Sequence, residues 1–220
     1  MIKLTKEPKP IILEQNESSW KTQLMKHIQD DTPIPTSLSQ KYNHDEVKSV
    51  LKKESHNKCM YCESKVSHVA YEHIEHIKPK AKHKYPELTF TWENLGLACP
   101  KCNMNKTDEF DDNMPFINPY LDMPNQYFVA GGPYLFPTNS NLRADLTIKQ
   151  IKLNRPELIE RRIKKIDEIT RLIESYLNQP EGLLKNITFK ELCNEVDQDK
   201  EYSFIIKSYL ELQKIDCPKK

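Results

Sequence analysis

Apolar residues recur at three- and four-residue steps late in the chain, where Ile159, Ile163, Ile166, Ile169, Ile173 and Tyr176 or Leu177 form one stripe. That spacing predicts an amphipathic helical segment, beginning near Thr147, whose isoleucine face is buried internally. Two shorter helices are expected over 188–196 and 202–215. Upstream, residues 43–53 carry Val47, Val50 and Leu51 on one side, with acidic residues early and lysines late, the polarity a helix dipole favours. Residues 1–16, which include Pro8 and Pro10, read as extended, and Ser18 or Ser19 would cap a helix over about 20–27.

Between 66 and 77 the pattern changes. Val66, Val69, Tyr71, Ile74 and Ile77 favour a strand, and Pro79, which has no N–H to donate, ends it. A loop over about 81–89 then leads to Phe90-Thr-Trp-Glu-Asn-Leu-Gly-Leu97, and a short helix is expected after Cys102. The stretch 115–137, rich in Pro, Asn, Tyr and Gly, reads as irregular.

Composition narrows the class. The 220 residues have room for one full domain with an appendage. A formal net charge of +1 with 30% charged residues excludes a polycation, so any nucleic-acid surface must be local. The candidates for it are Lys78, Lys80, Lys82, Lys84, Lys101 and Lys106. No apolar run approaches the ~20 residues that span a bilayer, and residues 1–8 lack the apolar core of a signal peptide. A soluble, cytoplasmic protein with no membrane contact is the expectation.

Chemistry is concentrated around the cysteines. Cys59 and Cys62 form one Cys-x-x-Cys pair, Cys99 and Cys102 another, and residues 63–98 lie between them. Two-residue gaps let both sulfurs of a turn face one ion, and four thiolates close a tetrahedral Zn²⁺ site with no open position. Such zinc is structural. A redox role for the pairs is weaker, because no thioredoxin-like βαβ pattern surrounds them. The other two cysteines, Cys193 and Cys217, are far apart, near the C-terminal end. In a chain of this kind, paired Cys-x-x-Cys reads as metal binding rather than as disulfides.

The segment between the pairs carries Glu75-His76-Ile77-Lys78-Pro79, then Trp92-Glu93-Asn94-Leu95, then Cys99-Pro-Lys-Cys-Asn103 with Lys106. In this order, framed by the cysteines, the chain resembles the HNH nucleases, also called ββα-metal or His-Me finger nucleases. The resemblance covers residues 57 to about 112. It implies an α+β, mainly helical protein: 1–56, an extended segment and helices; 57–115, a zinc-stapled ββα-metal (HNH) nuclease core; 116–220, an irregular linker and helical C-terminal extension. By that match His76 is the general base, Glu75 and Asn103 hold a divalent ion, Asn94 braces the loop that bears the histidine, and Lys106 touches a backbone phosphate alongside Lys78 and Lys80. Glu75 departs from the Asp or His that is usual before the base. The Glu72-His73 pair repeats the motif three residues upstream, so His73 is a second candidate for base or ligand, on the opposite strand face from His76.

These residue types suit the chemistry. Phosphodiester hydrolysis needs a proton acceptor near pH 7, which neutral imidazole provides. Charge building on the phosphoryl oxygens calls for a Lewis acid, and oxygen donors such as Glu75 and Asn103 suit Mg²⁺ or Mn²⁺. A zinc module that binds DNA or a protein without catalysis could use the same scaffold, but it has no need of His76, Asn94 and Asn103 together.

A narrower resemblance rests on Met1-Ile-Lys-Leu-Thr-Lys-Glu-Pro-Lys-Pro10, Cys-x-Tyr-Cys-Glu63 as the chain's Cys59-Met-Tyr-Cys-Glu63, Ile117-Asn-Pro-Tyr-Leu-Asp122, and Leu146–Arg162. These phrases are similar to HNH nucleases of Septu-type and retron-linked antiphage defence. That resemblance implies DNA as substrate and an ABC/SMC-like ATPase as partner, docked on the helical region 147–220. A homodimer would let two sites cut both strands.

Overall fold

The computed structural model describes residues 1–66 and 72–218. The first helix, α1 (Ile11–Gln29), starts earlier than Ser18 would have placed it. Leu13, Trp20 and Leu24 are buried along one face, and the Trp20 ring meets Phe90 edge-on at 5.7 Å. Tertiary burial of this face extends the helix upstream to Pro10, and α1 thereby buttresses the 86–90 turn. A single turn, α2 (Thr36–Ser39), leads to α3 (Asp45–Glu54), which has Asp45 and Glu46 in its first turn, Lys52 and Lys53 in its last, and buried Val47 and Leu51. The His44 side chain caps it by accepting from the Glu46 amide.

The central unit is small. Strand β1 (His73–His76) pairs antiparallel with β2 (Leu95–Ala98) in the register His73↔Ala98 to His76↔Leu95, and α4 (Pro100–Lys106) follows directly. The chain thus forms a β-β-α unit. The part of the expected strand over 67–71, including Val69 and Tyr71, lies outside the described residues. Gly96 faces Glu75 in the register, and a Cβ there would collide with the Met60 sulfur. The expected helix near Cys102 begins at Pro100, a residue suited to a first helical position, and so includes that cysteine.

Two expectations fail in the C-terminal half. The region 115–137 is not wholly irregular: α5 (Pro124–Tyr127) precedes a hairpin of β3 (Phe128–Gly131) and β4 (Tyr134–Pro137). Phe128, Ala130 and Leu135 point inward while Val129, Tyr134 and Phe136 face out, and Gly132 supplies the left-handed turn at φ 58°. The segment beginning at Thr147 is also divided, into α6 (Leu142–Ile151) and α7 (Pro156–Asn178). Lys152 ends α6 in a left-handed conformation (φ 55°, ψ 53°), and Pro156 opens α7 at its first position.

Helices α8 (Leu183–Asn194) and α9 (Ser203–Leu212) pack against α7. Ile169, Ile173, Leu192, Ile206, Leu210 and Ile215 form their shared core, so the isoleucine stripe is internal there, although Ile163 and Leu177 are exposed. Cys193 and Cys217, far apart in sequence, are joined by a disulfide, which ties the tail to α8. No helix of the described residues is long and apolar enough to cross a membrane.

A buried polar knot joins the first cysteine turn to α9. Glu63 receives the Met1 amino group at 2.5 Å, Lys58 at 3.4 Å and the Ser203 hydroxyl at 3.0 Å. Burial alone would raise the Glu63 pKa, but the Met1 and Lys58 charges and the hydroxyl outweigh it and hold the carboxyl at about 2. A depressed carboxylate pKa contributes stability that is present above the unfolded value near 4.5 and is lost as pH falls through the folded value. Glu63→Gln is therefore expected to destabilise the protein at pH 7, with the gap from wild type narrowing between pH 4.5 and 2. Urea titrations of both proteins across that range check this.

Candidate active site

The cysteines build a clamp from local turns. Glu63, at φ 64°, closes the first turn with its amide on the Cys59 carbonyl, and Lys58 bridges Lys65 across it. Cys99 caps α4, its sulfur accepting from the Cys102 amide at 3.5 Å. All four sulfurs lie within 4.8 Å of one another. A regular ZnS₄ tetrahedron with 2.3 Å bonds has edges of about 3.8 Å, and Cys62 Sγ and Cys99 Sγ are 3.8 Å apart. The donors therefore fit zinc.

One side chain at this clamp has no sequence signal. Arg155, the residue before α7, directs Nη1 to Cys102 Sγ at 3.5 Å and Nη2 to Cys99 Sγ at 3.9 Å. Four thiolates around Zn²⁺ leave two negative charges, and a guanidinium N–H on sulfur offsets part of that excess. Arg155→Ala is expected to weaken zinc retention by about 10–100-fold, the usual cost of losing an outer partner. Competition with a chromogenic chelator measures it.

Strand alternation sorts the rest of the site. His73 and Glu75 share one face of β1 and meet α4 in two rungs, one helical turn apart. In the first, His73 Nδ1 and Asn103 Nδ2 are 2.9 Å apart. In the second, Lys106 Nζ lies 2.9 Å from Glu75 Oε1 and donates to the His76 carbonyl at 3.0 Å. Both members of this ion pair are buried. Burial lifts the Glu75 carboxyl to about 7 even though Lys106 and the Tyr61 hydroxyl oppose the rise. Among the described residues, its Oε2 is buried with no partner at hydrogen-bond geometry.

His76 faces the other way. Its Nε2 donates to the Thr89 carbonyl at 2.9 Å, and the Tyr42 ring stands edge-on at 4.5 Å. Burial, with smaller contributions from Lys80 and Lys106, pushes its pKa down to about 3, against the Thr89 bond. The imidazole is therefore neutral at pH 7. A carbonyl can only accept, so Nε2 carries the proton and Nδ1 keeps a free lone pair.

Asn94 braces the loop leaving β1 on both sides. Its Oδ1 accepts from the Lys78 amide at 2.7 Å, while Nδ2 donates to the carbonyls of Lys78 at 2.9 Å and Leu88 at 3.2 Å.

The candidate phosphate contacts divide. Lys80 is half-buried over the Tyr42 ring. Lys78 is partly exposed but is held by Asp112 at 2.6 Å between the rings of Tyr85 and Phe110. Lys106 is a correction: it is 1% exposed and locked onto Glu75, so it has no open face for a phosphate. The structure also seats Glu75 on Lys106 and Asn103 on His73, rather than pairing Glu75 with Asn103 directly. Thr89, Tyr42 and Arg155 went unrecognised in the sequence, since a backbone carbonyl, a distant aromatic and a loop arginine carry no motif.

Comparison with known proteins supplies the family context. Residues 59–109 match the HNH endonuclease family. The chain is 29% identical over 209 residues to Septu protein PtuB of Bacillus mycoides (strain KBAB4), covering 77% of this chain and 68% of that protein. It is 29% identical over 178 residues to Septu protein PtuB of Bacillus thuringiensis, covering 74% and 68%. A retron Vc95 protein of Vibrio cholerae, named for the same nuclease class, is 29% identical over 153 residues, covering 63% and 74%. With its β-β-α unit clamped by four cysteines, the chain contains an HNH endonuclease domain within a sequence similar over most of its length to Septu PtuB proteins.

Proposed function

We propose that the chain is a metal-dependent HNH endonuclease that hydrolyses DNA phosphodiester bonds, as the nuclease subunit of a Septu-like antiphage system. The observation that carries this reading is the state of His76. Its ring is neutral, fixed in one tautomer by the Thr89 carbonyl, and seated on a loop that Asn94 clamps from both sides. Nδ1 is the atom left to take a proton from an attacking water as that water's oxygen bonds to phosphorus and one P–O ester bond breaks. A pKa near 3 is low for this task; burial is its main cause, and a phosphate anion bound beside Lys80 would offset only the smaller contribution of that cation.

Asn103 and the unpartnered Glu75 Oε2 suit a hard divalent ion, Mg²⁺ or Mn²⁺. When bound, that ion would act as a Lewis acid toward the charge developing on the phosphoryl oxygens. Lys106 then serves inside the protein, pinning α4 to β1 and holding the Glu75 carboxylate in place. DNA must take Lys78 from Asp112, and exposed ion pairs of this kind are weak enough to yield, at about 0–1 kcal/mol.

Similarity to the PtuB proteins supports an ABC/SMC-like, PtuA-like ATPase as partner, with the helical region from α6 to α9 as the docking element. The competing reading, a non-catalytic zinc adaptor, draws on the same burial of His76. Incubating the pure protein with supercoiled plasmid and Mg²⁺ or Mn²⁺, with and without the ATPase, separates the two. Nicked or linear DNA is expected in at least one arm. Intact plasmid in every arm, with DNA binding retained, favours the adaptor.

A further inference from the structure

We infer that His73, which the nuclease motif does not require, is the positioning residue that sets the amide orientation of Asn103. This rests on the nuclease reading above and deepens it. The contact between the two side chains joins His73 Nδ1 to the amide nitrogen of Asn103 at 2.9 Å. An amide nitrogen can only donate, so Nδ1 accepts, and the ring carries its proton on Nε2. The amide oxygen lies on the other side of Cγ and is turned away from the ring. Asn103 Oδ1, its one acceptor, is thereby the amide atom turned from His73, and it would be the one to hold a divalent ion.

Without His73, the two amide orientations of Asn103 compete, and one of them points two N–H donors at the cation. The same reasoning explains why His73 lies on the Glu75 face of β1. Its rung and the Glu75–Lys106 rung together fix α4 against the strand, one residue orienting an amide and the other a carboxylate. His73 acts through Asn103 and does not itself hold the ion.

A double-mutant cycle on metal affinity tests this. Mn²⁺ binding to the zinc-loaded protein is measured by calorimetry for wild type, His73→Ala, His73→Asn, Asn103→Asp and the His73→Ala/Asn103→Asp pair. Zinc content and circular dichroism confirm that each protein is folded. His73→Ala is expected to weaken Mn²⁺ binding by about 10–100-fold, the range for losing an outer partner, and His73→Asn, whose Oδ1 takes the place of Nδ1 and can accept from the same amide, to restore much of it. A carboxylate at 103 has no orientation to choose, so in the Asn103→Asp background removing His73 should cost nothing. An equal loss in both backgrounds would overturn the inference and make His73 a direct ligand or a packing residue. Unchanged affinity in His73→Ala would overturn it too. Wild type that binds no Mn²⁺ beyond its zinc would overturn the nuclease reading itself, and the inference with it.

Discussion

Replacing His76 by alanine is expected to reduce DNA cleavage by about 10²–10⁴-fold, the range associated with a positioned proton acceptor. The protein should keep its zinc and its helicity, because His76 lies outside the cysteine cluster and makes one hydrogen bond to a backbone carbonyl. His76→Gln gives a stricter comparison. Its amide nitrogen can take the place of Nε2 and still donate to Thr89, but it has no basic lone pair to take a proton. Both variants should bind DNA about as well as wild type, since the phosphate contacts proposed above are Lys78 and Lys80. The measurement is single-turnover cleavage of a labelled duplex alongside anisotropy binding of the same duplex. Cleavage at wild-type rate by either variant would remove His76 from the chemistry.

Losing the zinc is the other large effect. Structural zinc in small metal-bound modules supplies about 10–16 kcal/mol of apparent binding energy, which is folding energy where no site exists in the unfolded chain. Here the clamp closes over β1 and β2 and fixes the start of α4, so Asn103 and Lys106 depend on it for their positions. Cys102→Ser replaces a thiolate with a hydroxyl, a far poorer zinc ligand, inside a buried cluster. That variant, or wild type treated with a strong chelator, is expected to lose the near-UV dichroism of the packed core and all cleavage. The α7–α9 helices have their own apolar core and a disulfide, so a substantial part of the far-UV helical signal should survive. Uniform loss of all helix in one step would show instead that the two cores unfold together.

What could be read from the sequence is whatever side-chain identity and spacing encode. Two Cys-x-x-Cys pairs announce a tetrahedral thiolate site, and the structure draws the four sulfurs together as that chemistry requires. The order His76, Asn94, Asn103 placed these residues on one unit, and they sit on or beside β1, β2 and α4. Other features depend on what the chain meets after folding. Thr89 contributes only a carbonyl, which any residue would provide. Lys106 reads as a surface charge, but burial beside Glu75 makes it an internal cross-link. The hairpin over 128–137 was hidden because Pro, Gly and Asn dominate the composition around two four-residue strands. The break at Lys152–Arg155 was hidden because apolar periodicity continues across it, leaving only Pro156 to mark a new helix start. The early start of α1 reflects burial of Leu13, which no capping residue signals.

The central claim is that a zinc clamp brings one oriented imidazole and one oxygen-rich cation site together on a β-β-α unit. Crystals soaked in Mn²⁺, with anomalous data collected at the zinc and manganese edges, test it most directly. Two separate peaks are expected: zinc among Cys59, Cys62, Cys99 and Cys102, and manganese on Asn103 and Glu75 where β1 meets α4. A manganese peak elsewhere in the molecule, or no zinc among the four cysteines, would contradict the account.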